Sequence, residues 1–202
     1  MQYRDSQKTL KAIYAVATTQ GGYFTTKQAA AAGYEPSHLV YHLQVGNFER
    51  TAHGLYRLPT IPLAEHDDLI RLSLWSRGRD DVPQAVVSHA SALFLHQLSD
   101  VLPTKIHLTI PPTFRKAAPQ GCLLHKSRLT ATDIETHEGF AVTKPLRTLL
   151  DVARDSGTTD EHLERAIQDA LRRGLVRESV LKQELSQAIP PSRHERFAFL
   201  TG

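Results

Sequence analysis

The 202-residue chain has one cysteine, Cys122, so no disulfide can close within it and a reducing compartment is the natural setting. It has no run of about 18 apolar residues, which argues against a membrane-spanning helix. Its opening, MQYRDSQKTLKAIY, carries polar residues where a signal peptide would have its apolar centre. A cytoplasmic protein with no membrane partner is expected. There is no GxxxxGK(S/T) loop and no GxGxxG after a strand, so neither phosphate-cradling signature is present. No internal repeat and no low-complexity stretch appears. What remains is ordinary for a globular chain: 41% hydrophobic and 22% charged residues, enough for one large domain or two small ones.

Charge of one sign is also missing in places. The net charge is +3. Residues 1–60 hold six Lys/Arg (Arg4, Lys8, Lys11, Lys27, Arg50, Arg57) against three acids (Asp5, Glu35, Glu49). The remaining residues hold eighteen of each sign, so the whole excess lies in the first third. From Val101 to Thr132 there is no acid, while Lys105, Arg115, Lys116, Lys126 and Arg128 are basic. Local cationic fields of this kind suit polyanions.

The first 60 residues read as three helices and a hairpin. Ser6 to Thr19 sets Leu10, Ile13, Tyr14 and Ala17 at helical spacing, and Gly21-Gly22 ends it. Thr25 with Gln28 has the form of a capping box for a short helix over Lys27 to Ala32, which Gly33 stops. Glu35-Pro36-Ser37 opens a third helix, with Leu39, Val40 and Leu43 as its buried side and Gly46 at its end. Phe48–Thr51 and Leu55–Leu58 are then two short strands around Ala52-His53-Gly54. This order predicts a winged helix-turn-helix over 1–60.

A short linker at Thr60–Pro62 leads into the remainder, 61–202, which reads as α+β. Helices are predicted over Glu65–Trp75, over a segment capped by Ser88 and running to Leu98, and over Lys144–Arg154, Asp160–Arg173 and Glu178–Ala188. Lys105–Ile110 alternates as a strand that Pro111-Pro112 ends. Cys122–His125 reads as another strand, and Ile134–Glu138 with Phe140–Thr143 as a hairpin about Gly139. The fold class expected is thus α+β: an N-terminal winged helix-turn-helix followed by a mixed domain with a small sheet packed by helices.

A helix that enters the major groove must expose hydrogen-bonding side chains on one side. Ser37, His38, Tyr41, His42 and Gln44 lie away from the apolar side of the third helix. Arg50, Thr51, His53 and Arg57 in the hairpin suit phosphates or the minor groove. Thr26 and Lys27 open the second helix, where backbone N–H groups favour a phosphate. Double-stranded DNA is the partner these residues fit. Lys105, Arg115, Lys116, Lys126 and Arg128 form a second basic set, for DNA or for a protein.

Signs of catalysis are weak. His38 and His42 have the i, i+4 spacing of metal ligands but no HExxH context, so DNA-facing histidines are the better reading. Ser88-His89 has the residue types of a nucleophile and a base, but neighbours on a helix rarely face each other, and Ser88 fits a cap. Cys122 sits in an apolar run as a small buried side chain. Asp133, Glu135 and Glu138 lack the following acid-x-Lys triplet of a metal-dependent nuclease core. Asp80-Asp81 lacks the Gly-Ser of a nucleotidyltransferase. A non-enzyme with no cofactor and no metal is expected.

GGYFTTKQAAAAGYEPSHLVYHLQVGNFERTAHGLYRLP resembles the N-terminal winged helix of AbiEi-type antitoxins. VVSHASALFLHQLSD, KIHLTIP and VTKPLRTLLDVA are similar to their second domain. The resemblance implies a transcriptional repressor and antitoxin used in defence against phage. It implies binding to inverted repeats in the operon's own promoter and counteraction of a nucleotidyltransferase-like toxin. The groove-facing and hairpin residues named above would then be the DNA contacts. A stand-alone regulator, a protein-interaction module without a toxin, and a degenerate nuclease are the other readings.

Overall fold

The computed structural model describes residues 2–155 and 157–188, with side chains from residue 7 onward. It divides into two compact units. The first is Met1–Gln84 with Thr136–Phe140; the second is Ala85–Glu135 with the chain from Ala141 onward. The division falls later than the boundary expected at residue 60, because residues 61–84, expected in the second domain, bond to the winged helix. Tyr23 Oη donates to Asp67 at 3.0 Å, Arg77 donates to Gln20, and Lys27 Nζ donates to the Arg79 carbonyl at 2.7 Å.

In the first unit the order is α1 (Gln2–Thr18), β1 (Tyr23–Thr25), α2 (Thr26–Ala31), α3 (Pro36–Gln44), β2 (Glu49–Ala52), β3 (Leu55–Arg57) and α4 (Asp67–Trp75). Ile13 and Ala17, one turn apart on α1, are fully buried, whereas Leu10 and Tyr14 lie at the margin of that stripe. Thr25 caps α2: its side chain accepts from the Gln28 N–H while the Gln28 side chain accepts from the Thr25 N–H. Gly33 (φ +99°) makes the turn into α3, and a side chain there would meet Thr9 at 3.3 Å. The core gathers Phe24, Phe48 and Tyr56. Phe24 meets Phe48 edge-on at 5.0 Å and stacks on Tyr56 at 5.6 Å.

The hairpin expected from sequence has a third strand. The sheet order is β1-β3-β2, with both pairings antiparallel. β3 is thus central, and Leu55, Tyr56, Arg57 and Leu58 are all buried. β1 is three residues long, and its pairing with Leu55–Arg57 is what holds it extended.

The second unit holds β4 (Val86–Val87), α5 (His89–Leu95), β5 (Ile106–Ile110), β6 (Cys122–Lys126), a 3-10 turn at Ala131–Asp133, β7 (Ile134–His137), β8 (Phe140–Thr143), α6 (Pro145–Arg154), α7 (Asp160–Arg172) and α8 (Glu178–Ala188). The tip of the β7-β8 hairpin, from Thr136 to Phe140, counts with the first unit. The strand order is β6-β5-β4-β8-β7. β4 runs antiparallel to β5 and parallel to β8, and β5 runs parallel to β6. The architecture is the α+β arrangement expected, with a mixed sheet. Its helical core joins Leu93 and Leu98 to Leu149, Leu150 and Val152 of α6, Leu163, Ala166 and Ile167 of α7, and Leu181 and Leu185 of α8.

Two local expectations change here. Ser88 occupies the N-cap position of α5, but its hydroxyl makes no capping bond. It accepts instead from Thr109 Oγ1 at 2.8 Å and lies 2.9 Å from His89 Nδ1. The two neighbours do face each other, because His89 has a left-handed backbone (φ 52°). Cys122 is half-buried rather than enclosed.

Candidate nucleic-acid interface

α3 is held from one side. Leu39 is buried and Leu43 half-buried, while Ser37, His38, Val40, Tyr41 and Gln44 are exposed. At about 100° per residue, Ser37, Tyr41 and Gln44 form the centre of the outward stripe. Val40, expected on the apolar side, stands at its flank with 53% of its surface exposed. The correction has a chemical meaning, since an aliphatic side chain on such a stripe can meet a thymine methyl.

His42 turns the other way. Its ring stacks on Phe48 at 4.6 Å, meets Tyr34 edge-on at 5.3 Å, and its Nδ1 lies 3.1 Å from Asn47 Nδ2. Burial first, and the nearby His38 second, lower its pKa. His42 is therefore a neutral packing residue beneath the stripe. His38 stays exposed, with Nδ1 accepting weakly from the Glu35 N–H at 3.4 Å.

The turn between β2 and β3 is held close to α2. The Thr26 N–H donates to the Gly54 carbonyl at 3.0 Å, and Gly54 takes φ +71° to make the turn. With the Gln28 N–H bonded to Thr25, two of the backbone donors expected to receive a phosphate at the start of α2 are occupied. The Lys27 ammonium is also engaged, by the Arg79 carbonyl. Thr26 and Lys27 remain at the surface, but the phosphate nest expected there is not formed. β2 carries a bulge between Arg50 and Ala52 that leaves Thr51 outside the pairing. Thr51 is half-buried, with Oγ1 donating to the Leu55 carbonyl at 3.4 Å. Arg50 and His53 are exposed, 3.4 Å apart through Nη2 and Nδ1.

Arg57 is the clearest revision. It is 9% exposed on the central strand. Nη1 donates to Glu49 Oε2 at 3.4 Å, and Nη2 donates to the Ile61 carbonyl. A guanidinium so enclosed ties the hairpin to the segment after it and is not offered to DNA. Arg57→Ala is expected to lower the stability of the first unit by about 1–3 kcal/mol, because the Ile61 carbonyl and Glu49 lose a charged donor. Arg50→Ala should leave the melting temperature nearly unchanged. Thermal denaturation of the two variants side by side checks this contrast.

The second basic set is divided by the fold. Arg115 and Lys116 come after the end of β5, and Lys126 and Arg128 lie at and beyond the end of β6. Because β5 and β6 are parallel, Lys126 and Arg128 belong to one end of the strand pair and Lys105 to the other, while Arg115 and Lys116 lie midway along the connection that returns from the end of β5 to the start of β6. All five are exposed. The carboxylates weighed for a nuclease are engaged otherwise: Asp133 pairs with Arg147 at 3.5 Å, and Glu135 lies 3.9 Å from His96 Nδ1. Among the described residues the group with metal-ligand spacing is His89, His107 and His125, which sequence reasoning did not assemble. Their separation along the chain hid them; a parallel pairing of β5 with β6 was the signal needed.

Three helices, a capped turn and a three-stranded wing define the first unit as a winged helix-turn-helix. Residues 11–59, which include α2, α3 and the hairpin strands, match the family of transcriptional regulators described as AbiEi antitoxin. The crystal structure of the RV2827C protein from Mycobacterium tuberculosis aligns with TM-score 0.59 and 19% identity, covering 96% of this chain and 76% of that one. That likeness bears on the fold. No curated protein matches the chain. No helix among the described residues is long and apolar enough to cross a membrane.

Proposed function

We propose that this chain is a DNA-binding transcriptional repressor and antitoxin that controls its own operon and counteracts a nucleotidyltransferase-like toxin. One observation carries the DNA part: Ser37, Tyr41 and Gln44 form an outward polar stripe on α3, beside a wing with exposed Arg50 and His53, inside the segment that matches the regulator family. Gln44 pairs naturally with adenine, Ser37 and Tyr41 with base edges or phosphates, and Arg50 with the backbone. The exposed cations after β5 and β6 supply a further surface for DNA or for the toxin.

Fluorescence anisotropy with the DNA upstream of the protein's own reading frame tests the reading. Tight, salt-sensitive binding that exceeds binding to scrambled DNA by about a thousandfold is expected. Arg50→Ala should reduce the slope of log K against log salt by about one while leaving sequence preference intact. Equal affinity for promoter and scrambled duplex would remove the repressor role. Growth rescue by this chain when a nucleotidyltransferase-like product of the adjacent reading frame is co-expressed tests the antitoxin role separately.

A further inference from the structure

The second unit brings three imidazoles together from distant parts of the sequence. His89 opens α5, His107 lies on β5 and His125 on β6. In the parallel register His107 stands opposite Leu123 and Thr109 opposite His125, so the two strand histidines share one face of the sheet, two positions apart. His125 Nε2 lies 3.1 Å from His107 Nδ1. One ring nitrogen from each of the three histidines lies within 4.8 Å of the others.

A tetrahedral ion about 2.0–2.1 Å from each nitrogen needs the nitrogens about 3.3 Å apart. The His107–His125 pair already has that spacing. The His89 ring stacks on His125 with centroids 3.6 Å apart and planes at 14°. Since an ion binds in the plane of each ring, His89 must turn about its Cβ–Cγ bond to complete the set.

The surroundings favour a ligand set over a packing cluster. His89 is 8% exposed and adopts a left-handed backbone that residues with a side chain rarely take. Thr109 donates to Ser88 Oγ, which in turn faces His89 Nδ1. Turning His89 toward an ion gives up this contact, so the Ser88 bond holds the ion-free rotamer. The Asp155 carboxylate lines one cavity with His107, where an anion favours a cation. That cavity of about 280 Å³, lined by Asp155, His162, Thr104 and Thr158, reaches the cluster at His107.

We propose that His89, His107 and His125 bind a first-row divalent transition-metal ion, Zn²⁺ being the choice that an all-imidazole set favours, with a fourth position open toward the cavity beside Asp155. The site shares no residue with the DNA-binding surface.

The chain is stripped with a chelator and titrated with Zn²⁺ by calorimetry, and with Co²⁺ by absorption spectroscopy. One ion per chain is expected, with the intense d–d bands of a four-coordinate Co²⁺ site that Zn²⁺ abolishes. His107→Gln/His125→Gln should weaken binding by at least about a hundredfold, whereas His38→Gln, at an exposed histidine of α3, should leave it unchanged. Absence of binding, binding that survives loss of His107 and His125, or binding lost with His38 would each overturn the proposal. If the double variant does not fold, the Co²⁺ spectrum of the unaltered chain decides: weak octahedral bands would equally overturn it.

Discussion

A chain carrying Ser37→Ala, Tyr41→Ala and Gln44→Ala is expected to lose operator binding by about two to three orders of magnitude while melting at nearly the same temperature as the parent. The reasoning rests on where these side chains stand. All three are exposed, Tyr41 at 58%, so little packing is lost with them. Alanine is the best helix former, so the α3 backbone is not weakened. A well-formed base contact contributes about 1–3 kcal/mol of discrimination, and two or three such contacts span the loss expected. Phosphate contacts by Arg50 and other cations survive, so binding to scrambled DNA and the salt slope should change little. The signature is therefore selective: promoter affinity falls toward the non-specific level, and the non-specific level stays put. A competition mobility-shift assay with both duplexes reads the two quantities together. A uniform loss on both duplexes would mean that the stripe anchors the backbone rather than reads bases.

His42→Ala should behave differently although it lies on the same helix. Its ring fills the space between Tyr34 and Phe48, and the packing it supplies would go with it. Sequence alone grouped His42 with Ser37 and Gln44 because helical spacing gives an angle and says nothing of which neighbour arrives at it. The same limit placed Val40 on the wrong side, since both residues sit near the edge of the apolar sector.

Local signals were legible. Thr25 and Gln28 form the reciprocal cap that their three-residue spacing implies, and Glu178–Ala188 has the bounds read from its pattern. Features that depend on a partner strand were not. β1 and β4 are three and two residues long, too short for any periodicity, and exist because β3 and β5 supply their hydrogen bonds. Arg57 was misread for the same cause. Alternation implies one wet face only where nothing covers the sheet, and here Glu49 and the segment at Ile61 enclose the Arg57 guanidinium. The histidine cluster needed the β5-β6 register, which fixes how residues eighteen positions apart meet and leaves no mark in either segment alone.

The largest loss of stability is expected from Arg147→Met in the second unit. Arg147 joins three segments: Nε donates to Asp151 Oδ1 at 2.8 Å, Nη2 to Ser127 Oγ at 3.0 Å and Nη1 to Asp133 Oδ2 at 3.5 Å. Asp151 is 4% exposed, and its Oδ2 has no hydrogen-bond partner among the described residues. Burial raises the Asp151 pKa, and Arg147 is the first of the groups that pull it back down. Methionine keeps the aliphatic volume but leaves the carboxylate facing Arg154, 3.8 Å away on the surface. Removing one partner of a buried pair costs about 3–5 kcal/mol, because the remaining charge is enclosed without compensation. With Arg147 gone, the folded-state pKa of Asp151 moves still further above its unfolded value, so between the two values the folded chain binds more protons than the unfolded one. Stability then rises as pH falls through that window, opposite to the acid lability of a paired carboxylate. Arg147→Met/Asp151→Leu, which removes both charges and fills the space, should recover much of the loss and abolish the pH effect. Urea denaturation of the parent and both variants at neutral and mildly acidic pH measures all of this. A double variant no more stable than Arg147→Met would show that Arg147 acts through Ser127 and Asp133 instead, bracing the loop after β6 against α6.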